Sequence, residues 1–124
     1  MPTVELPTAT IEFHESGPAD SAFPPVVFVH GALVDSRLWD AVATDLAARG
    51  FRCLQPDLPL GAHRIPVGDR TVLTPQGVAD LVYQFLVELD LDDVILVGND
   101  TGGGVCQFLI DAHPERIGRL VLTN

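Results

Sequence analysis

The chain is predicted to fold as an α/β domain, a mostly parallel sheet flanked by helices. Three observations carry that prediction. Four short runs, at 26–30, 51–57, 93–98 and 117–124, are nearly continuous in apolar residues, as strands buried on both faces are. Stretches with apolar residues at helical spacing separate them, so strand and helix alternate along the chain. The one stretch that alternates polar with apolar residues, "TATIEFHES", comes first and reads as an antiparallel edge strand.

Each element has its own local signals. "VVFVH" (26–30) is a β-branched run set between Pro24-Pro25 and Gly31. In "DSRLWDAVATDLAARG", Asp35 or Ser36 can cap a helix, Leu38, Trp39, Val42, Ala43 and Leu46 share one face, and Gly50 stops it. "FRCLQPD" (51–57) is the next strand, ended by Pro56 and a Pro/Gly-rich loop through Asp69. Thr74-Pro75 opens a helix, proline being favoured in a first turn, with Val78, Leu81, Val82, Phe85, Leu86 and Leu89 as its buried stripe. "DVILVG" (93–98) is a strand, 101–112 a helix halted by His113-Pro114, and "IGRLVLTN" (117–124) a final strand. No repeat, low-complexity tract or linker divides the chain, so 1–124 is read as a single domain.

Composition narrows the partners. Hydrophobic residues make up 47% of the 124, enough for a packed core. The formal net charge is −10, from 7 basic and 17 acidic residues, and every basic residue is Arg. Such a surface argues against binding nucleic acid or anionic lipid through phosphates. No apolar run approaches the roughly 18 residues of a membrane span. "MPTVELPTATIEF" has no basic segment followed by an apolar one, so no signal peptide is read and the cytoplasm is the expected compartment. Cys53 and Cys106 sit in apolar contexts and are read as reduced, buried thiols, not as a disulfide or metal pair.

The chemistry is concentrated in "VGNDTGGG" (97–104), which sets a carboxylate among glycines at a strand-to-helix junction. Three readings compete. Gly98, Gly102 and Gly104 have the G-x-x-x-G-x-G spacing of a nucleotide turn, but Asp100 would repel a pyrophosphate. The acidic residue required about 20 positions further on has no counterpart either, since the next strand runs to Asn124. Asp100 could instead simply cap the helix that begins at Thr101. That leaves the glycines unexplained, each costing on the order of 1 kcal/mol against alanine inside a helix. In the third reading, G98-N99-D100-T101-G102 is a nucleophile elbow, G-x-Nuc-x-G, whose central residue is held in a strained conformation with φ > 0. Glycine two residues to either side then avoids a collision.

Over nearly the whole chain, from about Ile11 to Asn124, the sequence resembles the α/β-hydrolase superfamily. "VVFVHGALVDSRLWDAVATDLAARGFRCLQPDLPLGAHR" is similar to that family's third strand, oxyanion loop, first helix and fourth strand. "DLDDVILVGNDTGGGVCQFLIDAHPERIGRLVLTN" is similar to its fifth strand, elbow, third helix and sixth strand. An aspartate at the elbow resembles the epoxide hydrolase and haloalkane dehalogenase branch. The resemblance implies Asp100 as the nucleophile, attacking a small organic substrate at a saturated carbon, without a cofactor or metal. It implies an oxyanion hole from the backbone N–H groups of Ala32 and Thr101, with His30 and Gly31 shaping the loop and Gly98 and Gly102 the elbow. His30 is then structural. Dehalogenases that resemble this chain carry Asn after His-Gly and Trp after the nucleophile. Ala32 and Thr101 stand there instead, which puts an epoxide hydrolase, or a relative of another activity, ahead.

The family's cap, its late strands and its late catalytic histidine and acid have no counterpart here. His14, His30, His63 and His113 do not match the base, and Asp57 reads as a cap of the turn after the fourth strand. The expectation is therefore the N-terminal part of a hydrolase, inactive alone, or alternatively a non-catalytic remnant acting as a binding module. In either case the strand at 117–123 would be an apolar edge through which the chain self-associates.

Overall fold

The structure is a computed structural model describing residues 1–124. Its strands are β1 (Thr3–Glu5), β2 (Thr10–Ser16), β3 (Val26–Val29), β4 (Cys53–Pro56), β5 (Val94–Asn99) and β6 (Ile117–Thr123). Its α-helices are α1 (Asp40–Ala48), α2 (Pro75–Glu88) and α3 (Thr101–Ala112). The sheet order is β1-β2-β4-β3-β5-β6, with β4, β3, β5 and β6 parallel and the first two strands antiparallel. From β3 the chain crosses through α1 to β4 on one side, then through α2 to β5 on the other. The direction of winding reverses between β3 and β5, and in open α/β sheets ligands bind outside the carboxyl ends of the strands at such a switch.

Alternate residues of the strands feed two cores. Val27, Val29, Leu54, Val94 and Leu96 pack under α2 and α3. Val26, Phe28, Cys53 and Val97 pack under α1, where Phe28 and Trp39 lie 5.0 Å apart between ring centroids. Burial on both faces is why these strands lack polar alternation. The α2 stripe is buried as its spacing requires, apart from the half-buried Leu89 at its end. Thr74 caps it, its hydroxyl accepting from the Gly77 N–H at 3.0 Å. No helix is long and apolar enough to cross a membrane.

Two expectations are corrected. β2 is not the edge, because Thr3–Glu5 adds a further antiparallel strand outside it. That strand is too short for its alternation to register in the sequence. The expected helix from Ser36 begins instead as a 3₁₀ turn over Ser36–Trp39, and α1 starts at Asp40. A 3₁₀ turn has about 3.0 residues per turn against about 3.6, so the phase assumed for one continuous helix slips. Trp39 and Ala43 face the core, whereas Leu38 and Val42 are exposed.

At the other end of the sheet β6 is an edge strand, paired only with β5. Leu120, Val121 and Leu122 are all exposed. The exposure stops at β6: in β5, Val94 and Val97 are buried and Ile95 is half-buried.

Candidate active site

The site is built at the switch between β3 and β5, and the turn at Asp100 is its centre. Asp100 has φ 55° and ψ −122°, a left-handed conformation that a residue with a β-carbon adopts only under constraint. The constraint comes from its neighbours. A β-carbon on Gly98 would lie 2.8 Å from Cys106 Sγ and 2.9 Å from the Gly102 carbonyl oxygen. One on Gly102 would lie 2.3 Å from the carbonyl oxygen of Val29 and 2.5 Å from that of His30. Only bare backbone lets α3 start this close to both strands. Gly104 is different: a β-carbon there would touch nothing within 4 Å.

The capping alternative does not hold. The Asp100 side chain makes no hydrogen bond to the helix, and only its carbonyl engages the turn, accepting from the Gly103 N–H at 2.9 Å. Instead the carboxylate lies over Gly31, where a β-carbon would be 3.3 Å from Asp100 Cβ and 3.5 Å from Oδ2. The structure thus brings together Asp100, the 31–32 loop and the first turn of α3. The N–H of Ala32 donates to no other group of the chain. That of Thr101 stands at a helix N-terminus, where negative charge is favoured.

The loop carrying Ala32 is fastened to the segment after β4. The Leu33 N–H donates to the Leu60 carbonyl at 2.9 Å, and the Ser36 N–H to Asp57 Oδ1 at 2.8 Å. Asp57 thus supports the 3₁₀ turn after β3, whose N-cap is Asp35, and not the turn after β4 expected from the sequence, because the two loops meet in space. Gln55 supports the same turn through the Ser36 carbonyl at 3.0 Å. Leu33 itself has φ 63°, a strain that no sequence signal marks.

His30 completes the fastening. Its Nε2 accepts from the Leu58 N–H at 2.9 Å, so Nδ1 carries the proton and donates to the Gly31 carbonyl at 2.9 Å. The ring is fully buried, and burial holds its pKa below the ordinary 6.5, partly offset by the bond to Gly31. With both nitrogens engaged, His30 is a brace for the loop. The unfolded chain takes up this proton at higher pH than the folded one. The brace's stability is therefore complete above the unfolded value near 6.5 and is lost as pH falls from there toward the depressed folded value. The urea midpoint is expected to drop between about pH 7 and about pH 5, and less steeply in His30→Gln. Equal slopes in the two proteins would remove His30 as the cause.

No other histidine joins Asp100. His14 is exposed on β2, opposite Gln55, and His63 lies in the 57–69 loop. His113 follows α3 at the end away from the elbow, stacked on Tyr83 with centroids 4.0 Å apart. Cys106, directly beneath Gly98, is no rival nucleophile, since burial pushes its thiol up to about 12. Both cysteines are free and buried.

These features agree with what the chain is similar to. The family model of the alpha/beta hydrolase fold matches residues 24–124. A haloalkane dehalogenase of Mycolicibacterium paratuberculosis is 33% identical over 115 residues, 92% of this chain and 37% of that protein. Another, from Psychrobacter cryohalolentis, is 29% identical over 114 residues, again 92% of this chain and 37% of that protein. Among solved structures, an epoxide hydrolase from Vigna radiata superposes with a TM-score of 0.84 at 27% identity, covering 98% of this chain and 38% of its own. The chain spans a little over a third of the length of these relatives, 37% and 38%. With the family model matched from before β3 to the end of β6, the chain belongs to the alpha/beta hydrolase fold family.

Proposed function

We propose that the chain carries the nucleophilic part of a hydrolase acting on small organic substrates at a saturated carbon, with Asp100 as the nucleophile. Epoxides come ahead of alkyl halides. The observation that supports this most is the Asp100 carboxylate, without a hydrogen-bond or ion-pair partner, standing over Gly31 on a left-handed backbone. Holding the Asp100 backbone in that conformation costs about 1–3 kcal/mol, strain of the kind kept at reacting centres.

A carboxylate attacking an acyl carbon would form an anhydride with little gain, whereas attack at a saturated carbon gives a stable ester. One Asp100 oxygen forms a bond to an epoxide carbon, and the ring C–O bond breaks with its electrons on oxygen. That oxygen takes a proton from solvent, leaving a hydroxyalkyl ester on Asp100. With an alkyl halide, halide would depart instead. The relatives named as dehalogenases make that a real alternative, but Ala32 and Thr101 offer no side-chain N–H to a halide.

Release requires water to add to the ester carbonyl carbon. The resulting oxyanion would be held by the Ala32 and Thr101 N–H groups until it collapses, expelling the diol and restoring the carboxylate. That water needs a base, and His30, with Nε2 taken by Leu58, cannot serve. These 124 residues are accordingly read as stopping at the ester. The buried free thiols suit a reducing compartment, so the cytoplasm belongs to the same reading.

Intact-mass spectrometry after incubation with styrene oxide tests it. The expected result is a single covalent adduct, mapped to Asp100, absent in Asp100→Asn and without repeated diol release. An adduct on another residue, or none, would sink the nucleophile assignment. Repeated turnover would show that a base is present after all.

A further inference from the structure

We infer that Thr123, the last residue of β6, is a positioning residue that sets the conformation of Asp100, acting with Asn99. The inference rests on the nucleophile reading above and goes beyond it, since neither side chain belongs to the elbow motif's required residues.

Thr123 alone grips three consecutive residues of the turn. Its hydroxyl accepts from Asn99 Nδ2 at 3.0 Å and leans its proton toward the Gly98 carbonyl at 3.4 Å. Its own carbonyl faces the Asp100 N–H at 3.4 Å. The donor order is consistent along the chain of bonds: amide N–H to hydroxyl oxygen, hydroxyl proton to carbonyl oxygen. Each bond in such a chain polarises the next. The contact exists because β6 stays in parallel register with β5 to its end, Val97 opposite Val121 and Asn99 opposite Thr123. Val97 is buried, so the polar pair is placed where that apolar row reaches the mouth of the site.

This grip answers a need that the glycines leave unmet. Gly98 and Gly102 make the left-handed turn sterically possible, but permission is not enforcement. Asp100 has one turn bond, its carbonyl accepting from the Gly103 N–H, and its side chain is unbonded. The residue just before it is held from the side by Thr123, and rotation of the peptide between Asn99 and Asp100 would break the contact of the Asp100 N–H with the Thr123 carbonyl. The carboxylate is thereby kept over Gly31.

Three variants test the inference: Thr123→Val, which keeps the shape and removes the hydroxyl, Thr123→Ser, which keeps the hydroxyl, and Asn99→Ala, which removes the bond from the other side. Two readouts are taken. One is the Asp100 amide's HN–Hα coupling and backbone ¹³C shifts, which report its φ. The other is the rate of adduct formation with styrene oxide. Thr123→Val and Asn99→Ala are expected to move the Asp100 signals toward averaged values and to slow capture roughly fivefold, what one hydrogen bond of about 1 kcal/mol gives. Thr123→Ser should behave as the unaltered chain. Unchanged Asp100 signals and rate in Thr123→Val, or equal loss in Ser and Val, would overturn the inference. If no protein forms an adduct, the nucleophile reading falls, while averaging confined to Val and Ala still supports the grip.

Discussion

Gly102→Ala is expected to destabilise the chain strongly, and Gly104→Ala to stabilise it. The two glycines are neighbours on one helical turn, and only Gly102 falls in the elbow spacing. At 102 the added carbon would sit 2.3 Å and 2.5 Å from two carbonyl oxygens, both on backbone that cannot swing aside. Relief means lifting α3 off the ends of β3 and β5, which also disturbs Val105, Cys106 and Leu109 in the core beneath. Forced overpacking of this kind costs about 3 kcal/mol, a large share of the roughly 5–15 kcal/mol that holds a domain together. At 104 the same carbon meets nothing. The exchange there removes backbone freedom from the unfolded chain, and a gain of about 0.5–1 kcal/mol follows. Urea unfolding of both variants checks the pair. Shifts of the same sign would mean that the close approach of Gly102 is not what the glycine run serves.

The second large effect concerns association. We propose that the isolated chain pairs with copies of itself along β6. Leu120, Val121 and Leu122 are exposed on successive positions, covering both faces of the edge. One charge, Arg119, lies in the strand, with neither Lys nor Pro to discourage pairing. The net charge of −10 opposes the approach of two chains, but it acts over a distance that salt shortens, about 8 Å at physiological ionic strength. Self-association should therefore strengthen as salt is raised, the reverse of a contact held by ion pairs. Sedimentation at increasing salt is expected to show growing mass for the unaltered chain. Val121→Lys, which places a charge on the bare edge, should shift it back toward monomer. A monodisperse monomer at every salt concentration, unfolding reversibly and independently of concentration, would remove the proposal.

What the sequence by itself determined were features set by near neighbours along the chain. Apolar runs and helical stripes placed β3 to β6, α2 and α3 within a residue or two, because burial on one or both faces imposes a short period. The glycines around Asp100 announced a turn with φ > 0 because the steric rule behind them spans five residues. The tertiary structure decided everything that depends on which distant segments meet. It supplied the atoms that crowd Gly102, the carbonyls of Val29 and His30, and left Gly104 clear. It gave Asp57 the Ser36 N–H to cap, engaged both nitrogens of His30, and bonded the strained Leu33 to the Leu60 carbonyl. It brought Thr123 to Asn99, 24 positions away, through the register of two parallel strands. Such partners leave no period in the sequence, because a hydrogen bond between segments depends on their approach in space and not on their spacing along the chain.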